Sequence, residues 1–300
     1  MKIILLSYLS RSGSTLICNS LMKDLRFCVC PEAEILTNLL LKNPKSRLKN
    51  VVYKKITKAI YKDPKLKHWN IEIPNFENIG VNLDLFKIIL KLYALKSNSK
   101  SEYLVFKSEG LEKFDVSLHK NFYKIILFRD PRAVFLSQRN NIPSLGIGKM
   151  NINPIKLVHK MNKLILSYNY KENKLVYVQY ENFLSNNESE LNKISSMLNL
   201  KTFLMNNEDK SILNIIPANQ KHLHKNINKK SMVSSVDKWK NQLSKYEIHV
   251  IQENLNKVLD LGYESYHVII SDFEKLKSYI LIEIKDIFNR SLKMLVKIFK

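Results

Sequence analysis

Two apolar runs, residues 2–8 and 123–128, are each followed at once by a short polar loop and then by helical spacing. Runs of this length and apolarity are typical of strands that are buried on both faces of a sheet. A strand, a tight loop and a helix in succession indicate an α/β chain with a central, mainly parallel sheet flanked by helices. The patterns predict further strands over 102–107 and 175–180, and helices over 16–25, 35–41, 83–96, 184–200 and 238–261.

The net charge of +22 and the pI of about 9.7 admit nucleic acid, an anionic membrane or an anionic substrate as a partner. Aromatic residues are not interleaved with arginine in a stacking pattern, and we find no nucleic-acid-binding motif, so no nucleic acid is expected. Lys, Asn and Ile are abundant throughout the chain, and a solvated basic surface explains much of the charge equally well.

Three cysteines, Cys18, Cys28 and Cys30, are an odd number without a second close pair. This pattern predicts a reducing compartment and neither a zinc site nor a disulfide framework. The apolar start is too short for a signal peptide, because it meets Arg11 within a few residues. We therefore expect a cytoplasmic protein.

The loop at residues 10–15 reads Ser-Arg-Ser-Gly-Ser-Thr. Its small residues let the backbone approach an anion closely, and the free N–H groups of the following helix point at that anion. Arg11 adds a full positive charge. An ATP-type phosphate loop needs a lysine after its second glycine, and here Gly13 is the only glycine. The loop predicts a phosphate site of a different kind, with a simple capped helix start as the alternative.

The second motif begins with Arg129, where the second apolar run ends. Asp130 is a good helix N-cap and Pro131 suits the first helical position. Ser137 lies two helical turns beyond Asp130 and on the same face. Arg129 and Ser137 can therefore converge on one anion, with charge-assisted hydrogen bonds from the guanidinium. Pairing of Arg129 with a carboxylate is the alternative.

The two motifs, Arg-Ser-Gly-Ser-Thr at 11–15 and Arg-Asp-Pro-Arg-Ala-Val-x-x-Ser at 129–137, together resemble those of sulfotransferases that use 3′-phosphoadenosine 5′-phosphosulfate (PAPS). The first motif is most similar to the carbohydrate and bacterial branches, which favour arginine in this loop. The resemblance implies a P-loop NTPase-like sulfotransferase fold. It also implies an enzyme that transfers a sulfo group from PAPS to a hydroxyl of a carbohydrate, glycolipid or polysaccharide, without a metal.

The resemblance assigns roles to individual residues. The residues that would grip the 5′-phosphosulfate are Arg11, Ser12, Gly13, Ser14 and Thr15. Arg129 and Ser137 would grip the 3′-phosphate. Lys107, in a Phe-Lys-Ser segment similar to one that the family places before the second motif, would stabilise charge together with Arg11. Lys225 belongs to a basic segment that resembles the family's late cofactor-closing loop.

A glutamate is the expected general base, since the resembling branches place one just after the first helix. We favour Glu32 and keep Glu34 as the alternate, because residues two apart in an extended chain point to one side. Lys107 is a poor base because an ordinary lysine is protonated at neutral pH. The histidines that could serve instead are His119, His159, His222 and His224.

Weaker similarities in the family's order, at 180–184 and at 238–243, extend the resemblance over residues 2–263. We therefore expect a sulfotransferase domain over 1–266 and a helical extension over 267–300. Within this extension, the spacing of apolar and basic residues predicts a basic amphipathic helix from residue 274. Packing on the domain, an oligomer contact and peripheral binding to the anionic inner face of a membrane are its three possible uses.

Two other function classes remain open at this point. One is a nucleotide-dependent phosphotransferase, and the absence of a Walker-type lysine argues against it. The other is a non-catalytic basic protein that binds a nucleotide or a membrane surface. The identity of the acceptor and the oligomeric state are not encoded in any pattern that we recognise.

Overall fold

The computed structural model describes residues 1–30, 32–41, 44–63, 66, 71–75, 80–97, 101–117, 119–140, 153–167, 173–204, 236–255 and 262–298. The chain divides into two compact units. The first unit comprises Met1–Tyr8, Gly13–Phe128 and Ser167–Lys229, and the second comprises Leu9–Ser12, Arg129–Leu166 and Lys230–Lys300.

The first unit contains a five-stranded parallel sheet, which confirms the predicted α/β class. Its strands are β1 (Lys2–Ser7), β2 (Phe27–Cys30), β3 (Tyr103–Ser108), β4 (Phe122–Phe128) and β5 (Leu175–Gln179), in the order β2-β3-β1-β4-β5. The chain leaves β1 toward β2 on one side, and it leaves β4 toward β5 on the other. The strand order thus reverses at the neighbouring strands β1 and β4, and ligands of open parallel sheets bind at the carboxyl ends of such strands.

The helices of the first unit are α1 (Ser14–Leu21), α2 (Glu34–Leu41), α3 (Asn50–Lys62), α4 (Asn82–Lys96), α7 (Tyr180–Ser185) and α8 (Asn187–Leu198), and a short 3₁₀ turn spans Leu111–Lys113. Alternate residues of β1 face opposite layers. Ile3 and Leu5 join the core that contains α2 and α4. Ile4 and Leu6 join the core that contains α1, α7 and α8. Because both faces are covered, the strands are mostly apolar, as the sequence predicted.

The helices of the second unit are α5 (Pro131–Asn140), α6 (Pro154–Leu166), α9 (Trp239–Gln242), α10 (Lys245–Asn254) and α11 (Asp272–Ile298). The single helix predicted over 238–261 is wrong, because the chain breaks at Leu243 and restarts at α10. There Ser244 accepts a hydrogen bond from the Glu247 N–H and the Glu247 carboxylate accepts one from the Ser244 N–H, which is a capping box. The basic segment that contains Lys225 lies outside the described residues.

A fifth strand and two long helices were not predicted. Strand β2 consists of only four residues and includes Cys28 and Cys30, which are buried and not joined by a disulfide. Helices α3 and α6 carry mixed polar and apolar sequences. Within the described part of the chain, no helix combines the length and apolarity that a membrane span requires. The domain boundary at residue 266 stays a prediction.

Candidate functional site

The loop after β1 leads into α1 through a glycine that the structure requires. Gly13 has φ 92° and ψ 15°, a left-handed conformation that side chains disfavour. A Cβ at this position would lie 2.3 Å from carbons of the Tyr180 ring, so any larger residue would clash. Helix α1 begins at the next residue, and the N–H groups of its first turn and the positive end of its dipole lie at this point. This is the backbone arrangement that the sequence predicted for an anion.

A buried lysine adds positive charge at the start of α1. Lys107 lies near the carboxyl end of β3 and is 9% exposed. Its Nζ donates to Thr15 Oγ1 at 3.3 Å, and it lies 5.7 Å from the centre of the Tyr8 ring. A buried ammonium bonded to a hydroxyl keeps a strong field for a further anionic partner. Lys107 is therefore the cation that the first unit places beside the first turn of α1.

The two candidate bases differ sharply in their surroundings. Glu32 is half-buried after β2, and its negative charge acts on the Tyr8 hydroxyl. Burial raises the pKa of Tyr8 well above its usual value, and the negative charge of Glu32 raises it further. Glu34 instead begins α2 with an exposed side chain. Glu32 thus acts on a side chain that directly follows β1, whereas Glu34 is exposed to solvent.

In the second unit, Arg11 lies at the centre of the other predicted anion site. Its φ of 74° is unusual for a residue with a side chain. The Arg11 Nε donates to Ser137 Oγ at 3.1 Å, and the Arg129 NH1 donates to the Arg11 carbonyl oxygen at 3.0 Å. Gln138, also on α5, donates to the Ser10 carbonyl oxygen at 2.9 Å. Arg129 and Ser137 thus both bond to Arg11. This group of residues therefore contains two guanidinium groups, those of Arg11 and Arg129.

A buried hydroxyl in the same loop lacks a partner within the described residues. Ser12 is 1% exposed, and its Oγ makes no hydrogen bond there. An unsatisfied buried hydroxyl costs about 1–3 kcal/mol, so such groups are expected where a ligand supplies the missing bond. The Ser12 hydroxyl fits a phosphate or sulfate oxygen, which accepts hydrogen bonds. Within the second unit, Ser12 thus adds a hydroxyl donor to the group that contains Arg129 and Ser137.

Comparisons with known proteins extend these observations. No family model and no curated protein sequence matches the chain. Among solved structures, the sulfotransferase domain from the curacin biosynthetic pathway is 19% identical, with 88% of this chain and 98% of that chain covered and a TM-score of 0.54. The chain has the sulfotransferase fold. The sulfotransferase domain from the Synechococcus PCC 7002 olefin synthase is 17% identical, with 88% and 94% covered and a TM-score of 0.47.

The sulfotransferase fold was thus correctly predicted from the two motifs, while several important contacts were not. The role of Arg132 was missed, although it stands inside the second motif. Its guanidinium forms a buried ion pair with Asp130 at 2.8 Å and lies 3.8 Å over the Trp239 ring. Tyr8 was missed as well, since nothing in the first loop points to its hydroxyl. An Asp and an Arg two residues apart at a helix start could have suggested the ion pair.

The remaining candidates lie elsewhere. His119 is stacked on Phe114 and its backbone oxygen accepts from Phe122, at the amino end of β4 and thus at the opposite sheet edge from Lys107. Burial lowers the pKa of His119, and the positive charge of Lys45 lowers it further. His159 is exposed on α6. The candidates that lie outside the described residues are His222, His224 and Lys225.

Proposed function

We propose that the protein is a sulfotransferase that moves the sulfo group of PAPS to a hydroxyl of an acceptor. One observation carries the proposal: anion-binding motifs directly follow β1 and β4, the neighbouring strands at which the strand order reverses. A ligand with an anionic group at each end would suit two motifs that follow neighbouring strands in the chain. The sulfotransferase fold of the chain agrees with this chemistry.

The residues of the first motif would hold the 5′-phosphosulfate. The N–H groups at the start of α1, the hydroxyls of Ser14 and Thr15, and Lys107 all donate, and every bond to a charged oxygen is charge-assisted. Ser12 would supply its otherwise unused hydroxyl. The Arg11 side chain is directed at Ser137, so the role at the phosphosulfate that the resemblance gave it stays a prediction.

The second motif would hold the 3′-phosphate. Arg129 can offer a planar fork of N–H donors, which suits phosphate oxygens better than a lysine does. Ser137 adds a hydroxyl from the helix that follows β4. The Arg11 guanidinium, already bonded to Ser137, adds positive charge to the same place. Lys225, which lies outside the described residues, is expected to add a further contact.

The chain also offers the groups that in-line transfer requires. When bound, PAPS supplies the activated sulfo group. Glu32 would take the proton of the acceptor hydroxyl while the acceptor oxygen forms its bond to sulfur. The bond from sulfur to the phosphate oxygen breaks at the same time, and its electron pair stays on that oxygen. Lys107 and the α1 N–H groups would stabilise the negative charge that develops there.

The proposed donor is tested with 3′,5′-adenosine bisphosphate (PAP), the product that remains after sulfo transfer. A ligand at one hundred times its Kd raises the free energy of unfolding by about 2.7 kcal/mol, so a clear rise in melting temperature is expected with PAP. ATP with Mg²⁺ is the comparator. Stabilisation by ATP and not by PAP would refute the sulfotransferase proposal and favour a phosphotransferase.

We propose a carbohydrate or glycolipid hydroxyl as the acceptor. The arginine in the first loop, which resembles the carbohydrate and bacterial branches, supports this choice, and the net charge of +22 suits an anionic glycan. The test incubates the protein with PAPS and separate acceptors: an alkyl glycoside, a glycolipid, a phenol and a sterol. Mass spectrometry should find the sulfated glycoside or glycolipid. Turnover of only the phenol or the sterol would refute the carbohydrate or glycolipid acceptor but leave the proposed sulfo transfer intact.

We also propose that α11 binds the anionic inner face of a membrane. Leu276, Ile280, Ile284 and Ile287 form one stripe and are 60%, 47%, 56% and 59% exposed. The basic residues of the segment are Lys275, Lys277, Lys285, Arg290, Lys293, Lys297 and Lys300. Apolar burial combined with attraction to anionic lipid is how such helices bind membranes.

Vesicle sedimentation tests this contact. The protein should sediment with phosphatidylglycerol vesicles and much less with phosphatidylcholine vesicles, and the double substitution Ile280→Asp and Ile284→Asp should abolish sedimentation. Equal sedimentation of the variant and the unchanged protein would show that α11 is not the contact.

A further inference from the structure

A cavity of about 550 Å³ lies in the first unit. It is lined by the end of α2, by residues 44–46, by residues 113–115 beside the 3₁₀ turn, and by His119. Sites for small molecules have volumes of about 300–1,000 Å³ and combine apolar walls with a few polar groups. The cavity therefore has the size of a ligand site, and none of its described lining residues takes part in the proposed reaction.

The cavity and the first anion-binding motif lie at opposite edges of the sheet. The rings of Phe114 and His119 pack on Phe122, the first residue of β4, with their centres 5.2 and 5.5 Å from its own. Lys107 and the start of α1 lie instead at the carboxyl ends of the strands. Phe114 also belongs to the core that contains α2 and α4, whereas α1 packs on the other face of the sheet. A ligand in the cavity would thus leave the first motif free.

Part of the lining is apolar. Leu40 and Phe114 are 0% and 4% exposed and belong to the buried core, while Leu41 and Pro44 are half-buried. The Phe114 ring is stacked on the His119 ring, with 4.9 Å between the ring centres. Contact between such a surface and the apolar part of a ligand is favourable, because it removes both surfaces from water.

Another part of the lining is positively charged. Lys45 and Lys113 are exposed, and neither forms an ion pair with any residue that the structure describes. A third lysine lies close by, because the Lys174 Nζ donates to the His119 carbonyl oxygen at 3.1 Å. A lysine without an ion pair can form charge-assisted hydrogen bonds to an anionic ligand.

One acidic residue, Asp115, stands among the described lining residues and does not cancel this charge. Its Oδ1 accepts hydrogen bonds from the Ser117 N–H at 2.9 Å and from the Ser117 hydroxyl at 2.6 Å. Burial lowers the pKa of His119, and the positive charges of neighbouring lysines lower it further. Asp115 acts in the opposite direction but more weakly than Lys45. The charges around His119 are thus mainly positive.

We propose that this cavity binds a small amphipathic anion, whose charged head is held by Lys45 and Lys113 and whose apolar body lies against Leu40 and Phe114. Only such a ligand uses both parts of the lining. A purely apolar molecule would leave the two lysines without a partner, and an inorganic anion would leave the apolar wall in water. The inference does not depend on the proposed sulfo transfer.

The probe is octanoate, which carries a carboxylate on an apolar chain. Titration calorimetry should detect binding in the submillimolar range. Octanamide has the same chain without the charge, and acetate has the charge without most of the chain. Each should bind at least about tenfold more weakly, because it loses either the hydrogen bonds to a charged group or the apolar contact.

The double substitution Lys45→Gln and Lys113→Gln removes both charges from the cavity. We expect it to weaken octanoate binding about 10- to 100-fold and to leave octanamide binding unchanged. The matched control is Lys54→Gln with Lys55→Gln, two exposed lysines on α3 that do not line the cavity. It removes the same net charge from the protein and should bind octanoate like the unchanged chain.

A cavity-filling variant gives a second readout. Ser46 is exposed and lines the cavity, so Ser46→Trp adds bulk there without removing a core side chain. The variant should lose the binding of both octanoate and octanamide, and its melting temperature without ligand should stay close to that of the unchanged chain. Octanoate binding that survives Ser46→Trp at full strength would show that the ligand lies elsewhere, which refutes the inference.

Three further outcomes would overturn the inference: no binding of octanoate, equal affinity for octanoate and octanamide, or equal losses in the two double-lysine variants. Competition by PAP would do so as well, because it would place octanoate in the site of the proposed reaction. A failure of PAP itself to bind is a different result. It would refute the sulfotransferase proposal and leave the cavity to be judged by its own variants.

Discussion

Arg129 and Arg132 stand three residues apart in one motif and have neighbours of opposite kinds. The Arg132 side chain is 4% exposed, pairs with Asp130 and also donates to the Gln252 side chain at 2.7 Å. Arg129 donates to a backbone carbonyl of Arg11, whose own guanidinium bonds to a serine hydroxyl. A cation paired with a buried carboxylate has its charge neutralised inside the protein. The bonds that Arg129 and Arg11 donate here end on a carbonyl and a hydroxyl oxygen, which carry no negative charge to neutralise a guanidinium.

This difference shows that the residue type at a motif position does not by itself define whether the residue stabilises the fold or binds a ligand. Arg132 joins α5 to α9 through Trp239, to α10 through Gln252, and to the segment after α10 through the Glu264 carbonyl oxygen. It is therefore expected to matter for folding of the second unit. Arg129 is expected to matter for binding. The following substitutions separate the two roles.

Arg132→Ala should have the largest effect, and that effect should be on stability. The substitution leaves the Asp130 carboxylate buried without its partner, which costs about 3–5 kcal/mol. Chemical denaturation measures the loss. The matched control is Arg139→Ala on the same helix, whose ion pair with Glu247 is partly exposed and should cost at most about 1 kcal/mol. Equal losses of unfolding free energy for Arg132→Ala and Arg139→Ala would show that the contacts of Arg132 do not stabilise the fold more than those of Arg139.

In molecules that fold, Arg129→Ala should weaken the binding of PAP far more than Arg132→Ala does. Loss of charge-assisted bonds worth about 1.5–3 kcal/mol predicts roughly 10- to 100-fold weaker binding of PAP. Adenosine 5′-monophosphate lacks the 3′-phosphate, so its affinity should not change. Titration calorimetry with both ligands measures the contrast. If the variant binds both ligands less well by the same factor, Arg129 does not read the 3′-phosphate.

The fold was predictable because its signals are local. The runs that form β1 and β4 are mostly apolar, and Asp130 with Pro131 marks a helix start by itself. Strand β2 was missed because four residues are too few to show a pattern. The break in the helix predicted over 238–261 had a signal, since Ser244 and Glu247 have the spacing of a capping box.

The site was only partly predictable because most of its contacts join distant segments. The motifs name Arg129 and Ser137, but nothing local shows that Arg11 would be directed at Ser137. Glu32 acts on Tyr8 only because β3 lies beside both β1 and β2, which brings the carboxyl ends of these strands to one sheet edge. The contacts of a charged residue determine its role. Contacts between distant segments depend on the order of the strands, which no local sequence pattern indicates.

Ser137→Ala should give the smallest effect and sharpens the comparison most. The substitution removes a single hydroxyl, which accepts from Arg11 and would donate to the phosphate. One hydrogen bond to a charged group contributes about 1.5 kcal/mol at the low end, so PAP should bind roughly tenfold more weakly. The free energy of unfolding should barely change, because Ser137 is only half-buried. A large loss of stability with intact PAP affinity would place Ser137 and Arg11 with Arg132 among the structural contacts. It would leave Arg129 as the only binding residue of the second motif among those described.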